Sequence, residues 1–389
     1  MSVNPPALVG FLLAGLVVGA CAQPPSEDDA EATTASESTT GAQPTLKEAF
    51  AGRFLVGAAL NGAHFSGRDA RGAGIVAAQF NTITSENVLK WESIHPEPGR
   101  YAFDGPDRYV AFGEEHGLFI VGHTLVWHNQ TPAWVFQDEA GNPVGRDTLL
   151  ARMRDHIHTV VGRYKGRIGG WDVVNEALNE DGTLRQSPWM EIIGEAYIAQ
   201  AFAFAREADP DAELYYNDYS LPYTRKRNGA VALIRSLQAQ GAPVTGIGLQ
   251  GHYNLTSPSL AQLDSSLTAF AALGIDVMVT ELDIDVLPRA TQSQGAEITN
   301  NAALRDELNP YTETLPDSVQ QALADRYADL FGLYLNHSDA ITRVTFWGVT
   351  DGDSWKNNWP VRGRTNYPLL FDRRGQPKPA FEAVMQAAR

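Results

Sequence analysis

From about residue 46 onward, short runs of apolar and β-branched residues alternate with longer stretches whose apolar positions recur at helical spacing. Eight runs read as strands, at 54–59, 82–85, 119–124, 170–175, 213–217, 246–250, 277–280 and 343–348. Between them, segments such as 149–164, 189–208 and 230–240 predict helices, the last with Gly241 just past its end. Eight β-α units without a break in composition predict a single α/β domain, a (β/α)8 TIM barrel over residues 46–389. An open doubly wound sheet would want a glycine-rich phosphate loop after its first strand, and Val56-Gly57-Ala58-Ala59-Leu60-Asn61-Gly62 does not make one.

The polar residues sharpen this reading, because nearly every unusual cluster falls at the C-terminal end of a predicted strand, where barrel active sites assemble. Glu86, Asn87 and Lys90 follow the second strand, and His123, Trp127 and His128 the third. Asn175 and Glu176 follow the fourth, Asn217, Asp218 and Tyr219 the fifth, and Gln250 and His252 the sixth. Glu281 and Asp283 follow the seventh, Trp347 and Trp355 the eighth. The polar, weakly patterned stretch from 285 to about 316 reads as an extended loop on the same face. Glu176 and Glu281 each close an apolar run, so each carboxyl is partly desolvated and rigidly held. Two such groups facing one cavity are the minimum equipment for cleaving a glycosidic bond.

Ahead of the barrel, residues 8–20 are apolar but too few for a membrane span, and small residues and Cys21, the only cysteine, follow at once. Residues 1–21 therefore read as an export signal. Val18-Gly19-Ala20-Cys21 resembles the bacterial lipobox, whose cysteine is lipidated, although no Lys or Arg precedes it. Residues 22–45 hold Pro, Ser, Thr, Ala and acidic residues with almost nothing to bury, and are expected to form a disordered tether. The expectation is a bacterial cell-surface or outer-membrane lipoprotein, touching the membrane only through Cys21, or else a secreted protein. Without cysteine, the mature domain can use neither disulfides nor thiolate metal ligands.

A formal charge of −16 and a pI near 5.0 exclude nucleic acid as a partner, since phosphate binding needs clustered Lys and Arg. No His-Glu-x-x-His pattern occurs, and His156 and His158, two apart on a helix, face different ways. Neither a catalytic metal nor a cofactor is expected.

Six motifs then occur together and in order. They are Thr84-Ser85-Glu86-Asn87-Val88-Leu89-Lys90-Trp91, Gly122-His123-Thr124-Leu125-Val126-Trp127-His128, Trp171-Asp172-Val173-Val174-Asn175-Glu176-Ala177, Gln250-Gly251-His252, Thr280-Glu281-Leu282-Asp283 and the run from Trp347 to Trp355. On these residues the chain resembles the glycoside hydrolase family 10 endo-β-1,4-xylanases over roughly 46–388. The resemblance implies a retaining hydrolase of xylan and xylo-oligosaccharides, with Glu281 as nucleophile and Glu176 as acid/base. His252, oriented by Asp283, would support Glu281, and Asn175 would hold the sugar 2-hydroxyl. Glu86, Asn87, Lys90, His123, Trp127, Tyr219, Gln250, Trp347 and Trp355 would contact substrate, with Glu86 and Lys90 brought together by one helical turn. Such a hydrolase has no need to oligomerise, and a monomer is expected. Two rivals share the barrel: a β-1,4-glucanase with the same glutamate pair, and a non-catalytic surface glycan-binding protein, which would be expected to have lost one of the two.

Overall fold

The computed structural model describes Met1 and residues 44–290, 296–299 and 301–389. The expected signal and most of the expected tether lie outside the described residues. Pro44–Arg389 forms one compact unit. Its strands are β1 (Leu55–Leu60), β2 (Thr82–Ser85), β3 (Phe119–Val126), β4 (Gly170–Asn175), β5 (Glu213–Asp218), β6 (Gly246–Leu249), β7 (His252–Asn254), β8 (Asp276–Asp285) and β9 (Ile341–Phe346). Every pairing is parallel, and β6 bonds to β8 while β9 bonds to β1. Eight strands thereby close into the expected barrel, with β7 as an addition outside the ring.

Strands buried on both faces need no alternation, and β4 is buried at every position. The surrounding helices turn one apolar stripe inward. Arg146–Arg163 buries Leu149, Met153, His156, Ile157, Val160 and Val161, a spacing of three to four residues. This helix packs against Ala196–Ala208.

Four sequence expectations change. The helix expected at 189–208 is two, Pro188–Ile193 and Ala196–Ala208. Gly194 divides them in a left-handed conformation (φ 83°), its N–H capping Met190 O. The eighth-strand signal begins earlier, at Ile341, and the seventh does not stop at Thr280 but runs on as β8 to Asp285. Residues 86–90 form turns rather than helix, and helix Trp91–Ile94 starts only after Lys90.

Candidate active site

Residues two apart on a strand face the same side, so Glu281 and Asp283 of β8 project together. The β7–β8 register sets His252 opposite Asp283. The imidazole then bridges both carboxylates, with Nε2 3.0 Å from Glu281 Oε2 and Nδ1 3.0 Å from Asp283 Oδ1. Asp283 is fixed in turn by Trp355, whose Nε1–H donates to Oδ2 at 2.7 Å. On β5, Asn217 donates from Nδ2 to Glu281 Oε1 at 2.8 Å.

Glu176 follows β4 directly and adopts a left-handed backbone (φ 57°), an arrangement that costs about 1 kcal/mol in a non-glycine residue and needs support. The support is local: its N–H donates to Asn217 O at 2.9 Å and its C=O accepts from Arg185 Nε at 3.1 Å. Three neutral donors meet its carboxylate: Trp127 Nε1 at 2.9 Å, Gln250 Nε2 at 3.0 Å and Asn175 Nδ2 at 3.2 Å. Asn175 Oδ1 accepts from Asn217 Nδ2 at 3.0 Å, so an amide bridge links the two carboxylates. The β4–β5 register, which pairs Asn175 with Asn217, makes that bridge possible. Gly248 gives it room, since a Cβ there would collide with Asn217 Oδ1 and Thr280 Cγ2.

Glu176 and Glu281 are about equally buried, 4% and 5% exposed, yet their acidities diverge. Burial pushes Glu176 above the ordinary carboxyl value; nearby His128 and the donors Gln250 and Trp127 offset this only in part, and Asp218 adds to it. Burial would raise Glu281 too, but the His252 hydrogen bond, the charges of His123 and His252 and the Asn217 amide together bring it below that value. His252 itself is discouraged from charging by burial, yet Asp283 and Glu281 hold it above the usual imidazole value.

Both carboxyls line one cleft of about 180 Å³, together with Glu86, Asn87, Lys90, His123, Trp127, Asn175, Gln250, His252, Trp347 and Trp355. Trp347 stands edge-on to His123 at 5.4 Å, and His123 Nδ1 lies 2.8 Å from Asp172 Oδ2. Lys90 Nζ donates to Asn87 Oδ1 at 3.2 Å and to Gln130 Oε1 at 2.9 Å, and lies 5.0 Å over the Trp127 ring. Burial lowers the Lys90 ammonium against the pull of Glu281, Glu86 and Glu176. Glu86 is pushed up to about 7 by burial, with His64 and Lys90 opposing and Asp353 reinforcing. Tyr219 stands beside this cleft rather than lining it. Its hydroxyl accepts from Arg185 Nη2 at 2.8 Å, and the Lys226 ammonium sits 3.5 Å over its ring.

Sequence reasoning assigned no role to Asn217, Gln130, Arg185 or Glu297. Glu297 ties the loop after β8 to the β4 side, accepting from Arg185 Nη1 at 2.9 Å and lying 3.7 Å from His128 Nε2. Only the Asn-Asp-Tyr run closing β5 marked Asn217 in the sequence; the others depend on partners far along the chain. Among the described residues, His64, Asp69 and Asp353 approach metal-ligand spacing, with His64 Nε2 3.6 Å from each carboxylate. His64 Nδ1 accepts the Asn61 N–H, so Nε2 carries the proton and faces the carboxylates as a donor, the wrong polarity for a metal ligand. His156 stacks on Trp91 at 3.7 Å in the core, and His158 meets Glu207 at the surface.

The family model described as Glycosyl hydrolase family 10 matches residues 45–387. The chain is 45% identical to an endo-1,4-beta-xylanase A of Xylanibacter ruminicola, over 88% of this chain and 93% of that protein. Among solved structures it is similar to a GH10 endoxylanase retrieved from sugarcane soil metagenome, with 44% identity, a TM-score of 0.86 and coverage of 88% and 99%. It is also similar to a mutant solved in complex with xylotriose, at 34% identity, a TM-score of 0.78 and coverage of 88% and 99%.

Proposed function

The chain belongs to glycosyl hydrolase family 10, and from that premise we propose that it is an endo-β-1,4-xylanase, cutting internal bonds of xylan with retention of configuration. The observation that carries the reading is the pair of buried carboxylates in one cleft, one among neutral donors and one against a charged imidazole. Glu281, kept ionised by His252 and Asp283, attacks the anomeric carbon. Glu176, kept protonated by burial, gives its proton to the departing glycosidic oxygen. The resulting glycosyl ester neutralises Glu281. Glu176 then takes a proton from water as that water attacks the anomeric carbon, and the ester bond breaks to restore both carboxyls. Asn175, pinned between Glu176 and Asn217, is placed to hold the 2-hydroxyl where that contact tightens in the transition state. Glu86, Asn87 and Lys90 supply polar contacts, and Trp347 and Trp355 flat apolar faces, for neighbouring sugar rings.

The likeness to named xylanases weighs against the β-1,4-glucanase reading, and the presence of both glutamates against a non-catalytic glycan-binding protein. Reducing-sugar release from arabinoxylan and carboxymethyl-cellulose tests all three. Xylan cleavage that disappears in Glu281→Ala is the expected result, and cleavage of cellulose alone or binding without cleavage would contradict it.

The proposal extends to export with a lipid on Cys21 and to a monomeric catalytic domain. The export and anchor reading rests on the apolar run ending at Val18-Gly19-Ala20-Cys21 and the polar stretch that follows. Cys21→Ser should free the protein from membranes, and retention of the processed variant would contradict the anchor.

A further inference from the structure

Beside the catalytic cleft lies a second hollow that shares His252 and Ala296 with it. Its walls carry Arg289, Lys356 and Arg364 against a single carboxylate, Asp285, in a chain of formal charge −16. That carboxylate is already occupied. Oδ1 accepts from the Leu287 N–H at 2.9 Å and from Asn366 Nδ2 at 2.8 Å, and Oδ2 faces Arg364 Nη2 at 3.5 Å.

The donors, by contrast, have spare capacity. Lys356 is only 4% exposed, and its Nζ is wedged 4.6 Å from the Trp355 ring and 4.9 Å from Trp359. Its nearest carboxylate oxygen, Asp283 Oδ1, is 3.7 Å away, beyond hydrogen-bonding distance. Arg364 Nε and Trp359 Nε1 are buried without an acceptor. Arg289 is exposed and pairs with no carboxylate among the described residues. Buried donors left in this state are costly unless an acceptor-rich group meets them. Trp359 lines the hollow, and its stacking on Trp355 of the catalytic cleft at 4.5 Å and 13° holds an apolar indole beside it, suited to a pyranose ring.

We propose that this hollow binds a uronic acid side group of the polysaccharide, its carboxylate meeting Lys356 and Arg289 and its ring lying beside the Trp359 indole. The inference rests on the xylanase reading above and adds a preference for acidic xylan. A free anion would satisfy the charges alone, whereas continuity with the cleft through His252 and Ala296 favours an anion carried on the chain being cut.

The test compares kcat/KM on glucuronoxylan with kcat/KM on the same polymer after its carboxyls are reduced to alcohols, and reads the ratio. For the full-length enzyme the expected ratio is about five, the size of one partly exposed charge contact, and it should shrink in high salt. In Arg289→Ala and in Lys356→Met the ratio should fall towards one. Because each variant is its own reference, any general loss of activity cancels. A ratio of one in the unaltered enzyme overturns the proposal while leaving the xylanase reading intact, provided the reduced polymer is cut. A ratio untouched by both substitutions overturns the assignment to this hollow, and failure to cut either polymer removes the xylanase reading and this one with it.

Discussion

Glu176 and Glu281 differ little in depth and much in company. Glu176 is surrounded by an indole, a carboxamide on Gln250 and another on Asn175, all neutral, and burial sets its acidity. Glu281 faces an imidazole whose charged form Asp283 favours, and that hydrogen bond, with the His123 and His252 charges and the Asn217 amide, overrides the same burial. The contrast teaches that burial alone makes a poor acid and that charge nearby favours the ionised form that a nucleophile needs.

The comparison breaks most completely when either carboxyl is removed. Glu281→Ala should cost at least about 10³-fold in kcat on xylan, and Glu176→Ala about 10²–10⁴-fold, read by single-turnover and steady-state kinetics. Asp283→Asn leaves both carboxylates in place but takes away the charge that holds His252 protonated. A loss of roughly 10–100-fold is expected, together with an upward shift of the acid limb of the pH–rate profile, because Glu281 then protonates at higher pH. In the unaltered enzyme the acid limb reports Glu281 and the alkaline limb Glu176: activity fades as pH falls through the lowered value and again as it rises through the raised one.

A change at the bridge between the two sites is milder. Gly248→Ala should displace the Asn217 amide and lower kcat about tenfold, with a smaller upward shift of the acid limb than Asp283→Asn because only one of the groups that lower Glu281 is lost, which kinetics across pH would show. The smallest effect is expected at Glu86, whose carboxyl titrates at about 7. Its switch from donor to acceptor should put a few-fold inflection in KM near that pH, and Glu86→Gln should flatten it.

The barrel was legible because its strands are apolar runs punctuated by turns, and the catalytic face because polar residues crowd the strand ends. The continuation of β8 past Thr280 was not, for a physical reason. Asp283 and Asp285 look like solvated residues beyond a strand end until His252, Trp355 and Asn366 are seen to meet them. The same hidden satisfaction explains β7, a three-residue strand that exists by pairing with that continuation. The meeting of Glu176 and Glu281 in one cleft was readable from their position, whereas the contacts of Asn217, Gln130 and Glu297 depend on register and on loops meeting across the barrel mouth. The break at Gly194 was missed because apolar spacing runs through it unaltered.

The central claim is that neighbour charge, at equal burial, divides the work between the two glutamates. Its most direct test is a carbon-13 NMR titration of the side-chain carboxyls of Glu176 and Glu281 in the free enzyme. Two separate transitions are expected, Glu281 below the ordinary carboxyl value and Glu176 above it. Coincident transitions, or the reverse order, would contradict the account.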